Sequence, residues 1–151
     1  MTATITDRLL VPLANQDDAT ATCHALRRYF NTESKGTKPT VTVLHIIEKS
    51  GGGIDKAPMD TRKAQAEKIF AIAESILEPN SFTIETEMRF ATDIVEAILD
   101  VGDESESTAI AFLPRKGGRI ARFLSGNLTN KLVAESPIPV LLFPQKDSLE
   151  G

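Results

Sequence analysis

One stretch of the chain has residue types that point to phosphate chemistry. From Leu113 to Asn127 it reads LPRKGGRIARFLSGN, with adjacent glycines at Gly117 and Gly118, basic side chains at Arg115, Lys116, Arg119 and Arg122, and no acid. A glycine-bearing loop can turn successive backbone N–H groups toward an anion. A helix opening near Gly126 would add its free first-turn N–H groups and the positive end of its dipole. Between Ser107 and Ala134 five basic residues stand without an acid, in a chain whose net charge is −4. Arg115, Lys116, Gly117, Gly118 and Gly126 are therefore residues expected to meet phosphate. The competing reading is that the arginines only balance an acidic surface or meet a partner chain.

Other chemistry-bearing residues have simpler explanations. His45 lies inside the apolar run TVTVLHIIE, with no cysteine, second histidine or carboxylate beside it, and reads as a core or crevice-lining histidine. Cys23 and His24 are neighbours on a helix, where adjacent residues do not face each other. Cys23 then reads as a small core residue. Asp17 and Asp18 could hold a metal, but Asp17 is explained as a helix cap. Asp103, Glu104 and Glu106 read as a solvated turn. The triplet Gly51–Gly53 lacks P-loop spacing and a G-K-[ST] ending, and reads as a flexible linker. No Ser-His-Asp set, H-E-x-x-H or paired-carboxylate motif is visible. The expected action is binding without catalysis. Weak ATP hydrolysis stays as a third reading that would need a carboxylate or water-orienting group near Asn127.

The elements that must position these residues alternate regularly. At 151 residues the chain is expected to form a single domain, with a core over about 5–144 and a loose tail over 145–151. Ile5–Leu13 is a dense apolar run and reads as a buried strand. Asp17 opens a helix with Ala19, Cys23, Leu26 and Phe30 on one face. Thr40–Glu48 is a second buried strand. A helix from about Met59 to Leu77 turns Met59, Ala66, Ile69 or Phe70, Ala73 and Leu77 inward. SFTIETEMRF alternates strictly and reads as an edge strand with one wet face. Asp93 opens a helix with Ile94, Ala97, Ile98 and Val101 inward. Thr108–Leu113 is the fourth strand, a helix follows from about Asn127 to Glu135, and Ile138–Pro144 is the fifth strand.

Strands alternating with helices favour a parallel α/β sheet with helices on both faces. The alternating third strand belongs at one edge, and the apolar fifth strand at the other. An exposed apolar edge is a liability that proteins cover. Pairing with the same strand of a second chain would cover Ile138, Val140, Leu141, Leu142 and Phe143, so a homodimer is expected. If the first and fourth strands lie side by side, the loops after Pro12 and Leu113 flank the switch point where open α/β sheets take ligands.

Composition sets limits on partners. Apolar residues make up 41% and charged residues 25% of the chain, an ordinary globular balance. The acidic net charge argues against a nucleic-acid partner. One cysteine rules out an intrachain disulfide framework. No leader pattern and no run of roughly 18 apolar residues is present. A soluble, cytoplasmic protein with no membrane partner is expected.

At this point the chain resembles the universal stress protein family. RLLVPLANQDDA is similar to that family's first strand and loop, and VTVLHIIE to its second strand. IAFLPRKGGRIARFLSGNLTNKLVAESPIPVLLFP resembles its closing third. The resemblance implies a three-layer sandwich with a five-stranded sheet in the order 3-2-1-4-5, a dimer through the last strand, and, as in some members, ATP at the crevice. Pro12, Leu13, Ala14 and Ile46 would line the base and sugar side, and Leu113, Asn127 and Thr129 would lie with Arg115 and Lys116 near phosphate. The family's nucleotide pattern, G-x-x-G followed further on by G-[ST], is degenerate here. Aligned on Gly126, its earlier glycines fall on Leu113 and Lys116, and its final hydroxyl on Asn127. The aspartate that commonly follows the first strand falls on Ala14. The implied function is a stress-response or regulatory protein binding ATP or AMP with magnesium, or another phosphate-bearing ligand. The alternative is a ligand-independent dimeric module of the same fold, with its crevice filled by Leu113, Phe112 and neighbouring side chains, that meets a regulatory protein partner.

Overall fold

The computed structural model describes residues 4–30, 38–49, 59–77, 81–114 and 126–144. Strand β1 (Arg8–Pro12) leads into helix α1 (Gln16–Tyr29), followed by β2 (Thr40–Glu48), α2 (Met59–Ile76), β3 (Thr83–Ala91), α3 (Ile94–Glu104), β4 (Ala109–Phe112), α4 (Gly126–Glu135) and β5 (Val140–Leu142). The sheet order is β3-β2-β1-β4-β5, and every pairing is parallel. The expected α/β sandwich is what forms.

Burial explains which strands lie inside. Leu9, Leu10 and Val11 of β1 have no exposed surface, and seven successive residues of β2, Val41 to Ile47, are buried. Such continuous burial suits strands covered on both faces. Leu9, Val11, Val41 and Val43 point toward α1 and α2, where they meet Cys23, Leu26, Ile69 and Ala73. Leu10, Leu44, Ile46 and Ile110 point the other way, to Ile94, Ile98, Val101 and Leu132 of α3 and α4. The period of two along each strand thus feeds two separate cores. β3, at one edge, is half-exposed along its length. It runs in register with β2 from Thr40↔Thr83 to Glu48↔Ala91.

Several boundaries differ from the sequence expectation. α1 is capped by Asn15, whose side chain accepts from the Asp18 N–H at 2.8 Å, and not by Asp17, which lies exposed in the first turn. The Asn15–Asp18 spacing is the usual reach of a capping side chain to N3. Met59 stays 42% exposed and does not join the core. β5 is shorter than Ile138–Pro144: Ile138 precedes it, and Phe143 turns inward against Tyr29 and Phe30, with ring centroids 5.8 and 5.9 Å away. Asp93 caps α3 as expected, accepting from the Glu96 N–H at 3.0 Å.

The end of α3 carries an unusual residue. After the cap at Ser105, Glu106 has φ 54°, in the left-handed region. The Ser107 N–H reaches the Gly102 carbonyl at 2.9 Å, and the Glu106 N–H reaches the Asp103 carbonyl at 3.2 Å. This pair of bonds is a Schellman closure, whose left-handed residue is usually glycine. A side chain there costs about 1–2 kcal/mol of backbone energy, partly offset by the greater freedom glycine has when unfolded. Glu106→Gly is therefore expected to stabilise the protein by about 0.5–1 kcal/mol, a rise of roughly 2 °C in Tm. Thermal and urea unfolding check this; an unchanged or lowered midpoint would refute the strain argument.

Candidate functional site

The crevice lies beyond the carboxyl ends of β1 and β4, which the strand order places side by side. The chain leaves β1 toward one face of the sheet and β4 toward the other, so neither helix covers the gap between them. Pro12 is buried at the end of β1, and the Leu13 N–H extends the ladder to the Leu44 carbonyl at 2.8 Å. Leu13 is wholly buried and Leu113 7% exposed, and both side chains enter the core beneath α1 and α2. Only their backbones can face a ligand. Ala14 and Leu128 are half-buried against the opposite core, which also holds Ile46 and Phe112. The structure therefore divides the proposed lining residues between the two faces: Ala14 and Ile46 lie with α4, whereas Leu13 and Leu113 do not.

The turn from β1 to α1 is fastened by Asp18, which the sequence offered only as a possible metal ligand. Asp18 has no exposed surface. One of its oxygens accepts from the Ala14 N–H at 2.8 Å and the other from the Thr22 hydroxyl at 3.1 Å. The spacings Asn15 to Asp18 and Asp18 to Thr22 were the available signal, since they place cap, carboxylate and hydroxyl on one side of the first turns. The Leu13 carbonyl is also engaged, 2.9 Å from Nδ1 of His45. A carbonyl can only accept, so Nδ1 carries the proton and the neutral ring keeps its lone pair on Nε2. Burial pushes the His45 pKa below the usual histidine value, against a smaller upward pull from the bond to Leu13.

α4 begins at Gly126, and its first turn contains no acid. Asn127 is exposed and Thr129 is 8% exposed. Lys131 pairs with Asp93, the cap of α3, at 3.9 Å, which sets the first turns of the two helices at the same end of the sheet. Arg115, Lys116, Gly117, Gly118, Arg119 and Arg122 lie outside the described residues, as do the glycines of Gly51–Gly53. Val140 and Leu141 on β5 are half-buried and Leu142 is 45% exposed.

The remaining candidates resolve as packing. Cys23 is buried, and desolvation, helped by the negative charge of Asp18, pushes its thiol up to about 12. It is no thiolate at neutral pH. His24 is exposed and points away from it. Glu104 forms an ion pair with Arg89, which also bonds Glu87 at 2.7 Å. Among the described residues no group of three or more His, Cys, Asp or Glu is placed to hold a metal, and no helix is long and apolar enough to cross a membrane.

With this geometry in place, the comparisons with known proteins are informative. The model of the universal stress protein family matches residues 6–144. The chain belongs to the universal stress protein family. A universal stress protein from Archaeoglobus fulgidus shares 19% identity at a TM-score of 0.64, with 90% of this chain and 92% of that one covered. A structure from the same organism, in complex with dAMP, shares 20% identity at 0.62, covering 93% and 99%. A universal stress protein in complex with cAMP shares 16% identity at 0.55, covering 91% and 98%. No match is found among curated proteins.

The His45 contact has a pH consequence. The folded chain holds this group with a lowered pKa, so between the folded and unfolded values the unfolded chain binds more protons. The associated stability is complete above about pH 6.5 and is lost as pH falls toward the folded value. His45→Asn puts an amide donor at the place of Nδ1, facing the Leu13 carbonyl, but cannot titrate. Urea midpoints measured from pH 7.5 to 5 should fall more steeply for the parent than for this variant. Parallel profiles would remove His45 from the acid sensitivity.

Proposed function

We propose that this protein acts by binding, as a non-catalytic stress-response or regulatory protein that takes an adenine nucleotide or another phosphate-bearing ligand in the crevice between β1 and β4. One observation carries this reading. α4 opens without an acid in its first turn, immediately after a segment with four basic side chains and two adjacent glycines, at the switch point of the sheet. Free N–H groups, a positive dipole end and added basic charge form an anion receptor. The base and sugar would lie along Pro12, Ala14, Ile46 and the backbone of Leu13. Phosphate would meet the backbone of Leu113, Arg115, Lys116, Gly117, Gly118, Gly126, Asn127 and Thr129. Magnesium would accompany ATP. Two of the similar structures are complexes with dAMP and cAMP, which supports an adenine ligand.

A second reading has its own supporting observation. Ala14 offers no side-chain acceptor, and its N–H is already held by Asp18. A ligand-independent module would leave the crevice unused and act through a protein partner. Calorimetric titration with ATP and AMP, with and without magnesium, separates the two. Micromolar binding is expected, weakened at least tenfold when Arg115 and Lys116 are both replaced by alanine. Absence of heat, or an unchanged affinity in that variant, would favour the module.

The second copy of the chain is the partner proposed for β5. Val140, Leu141 and Leu142 form an uncharged outer strand with Leu142 45% exposed, and Val133 of α4 is 49% exposed. Such an edge invites pairing. A two-fold axis would bring identical strands together antiparallel. Leu142→Lys places like charges across that axis and should convert the dimer to monomer with little change in unfolding midpoint. Sedimentation velocity reads this directly; a parent chain that sediments as a monomer would dismiss the dimer.

A further inference from the structure

A second cavity lies at the opposite end of the sheet, so nothing about it depends on the nucleotide reading. It has a volume of about 180 Å³ and sits among the last turns of α3, the start of β4 and the segment before β5. Its floor is apolar: Leu99, Gly102, Ile110 and Ile138. Its mouth carries Asp103 and Glu106, both exposed, and Ser107, which is 8% exposed. Among the described lining residues none is basic.

Toward the cavity the polar groups at this mouth can only accept. The Ser105 hydroxyl gives its one proton to the Val101 carbonyl at 2.7 Å. The 2.8 Å contact between the two serines must then be donated by Ser107, whose oxygen keeps its lone pairs. The two carboxylates add only acceptors. α3 ends here with no basic residue in its last turn, so the negative end of its dipole lacks a cation from its own helix. Arg8 does reach this helix end, donating to the Ser105 carbonyl at 3.0 Å, but it does not line the cavity. Glu106 is also held in its left-handed conformation, where glycine would be easier. An apolar chamber with an acceptor-only, negative mouth fits a donor-bearing cation with an apolar body.

We propose that this cavity binds a small organic ammonium compound, with a body of roughly six to ten non-hydrogen atoms, a size set by the cavity volume. The apolar body fills the space above Ile110 and Ile138. The ammonium group sits between Asp103 and Glu106, within reach of Ser107. A ligand this small should bind with a dissociation constant of roughly 0.1–1 mM.

An NMR titration of the full chain tests this with three probes: 2-phenylethylamine, its neutral analogue 2-phenylethanol and the anion 3-phenylpropionate. The amine is expected to cause saturable shifts at the amides of Gly102, Ser107 and Ile110. The alcohol should bind about tenfold more weakly, and the acid more weakly still. Replacing both carboxylates (Asp103→Asn with Glu106→Gln) should bring the amine to the level of the alcohol. Glu106→Gly should weaken amine binding while raising Tm, a combination that general destabilisation cannot produce. The proposal fails if the amine causes no saturable shift at these amides, if amine and alcohol bind equally, or if the doubly substituted variant binds the amine as the parent does.

Discussion

The whole arrangement depends on β1 being paired on both sides. Its three central residues have no exposed surface, and they alternate between the two cores. β2 and β3 are built outward from one side of it, β4 and β5 from the other. Right-handed crossovers then send α1 and α2 to one face and α3 and α4 to the other. A strand so placed cannot have its carboxyl end covered by a helix, because the two neighbouring connections diverge there. The crevice follows from burying β1 and would exist whatever residues lined it. What the lining residues decide is whether anything binds.

At that end the backbone is held before a ligand arrives. Asp18 secures the Ala14 N–H, His45 the Leu13 carbonyl and Leu44 the Leu13 N–H. A buried carboxylate is tolerable only when its oxygens are bonded, and Ala14 and Thr22 each bond one. The effect is a rigid wall on the β1 side. Adaptation to a ligand then has to come from the β4 side, where α4 begins. Preorganisation of one wall lowers the entropic cost of binding against it.

Much of the fold was legible because its signals are local. The apolar runs at Leu9–Val11 and Val41–Ile47 need no partner to be recognised, and Asp93 announces α3 by its position before Ile94. The alternation in SFTIETEMRF assigned β3 to an edge. The errors arose where tertiary packing chose between equivalent local signals. Asn15 and Asp17 are both good caps, and the fold used Asn15 because Asp18 was needed inside. Met59 has the spacing of an inner residue but starts its helix beyond the core. Ile138 and Phe143 have strand-like neighbours, yet one packs over Gly102 and the other against Tyr29. At the crevice, the adjacent ends of β1 and β4 are legible in the element order, but not which way their side chains face. Leu13 and Leu113 turn their side chains to the α1 and α2 core, a matter of parity along strands whose exact ends the sequence does not mark.

The same topology gives the two ends of the sheet opposite electrical character. All strand pairs are parallel, so each helix must carry the chain back from the carboxyl end to the amino end. Helix N-termini gather at one end and C-termini at the other, and their partial charges add. At α1 the charged residues cancel this bias, with Asp17 and Asp18 in the first turn and Arg27 and Arg28 in the last. At the end of α3 they reinforce it, because Asp103, Glu104 and Glu106 crowd its C-terminus and no basic residue stands in its last turn. Placing acids at a helix C-terminus works against stability, and Glu106 adds a backbone cost at the same point. Arg8 and Arg89 offset part of it, through the Ser105 carbonyl and Glu104. What they leave is a negative mouth over an apolar floor at the amino end of the sheet. The crevice and this mouth are thereby built from opposite helix termini at opposite ends of the same sheet.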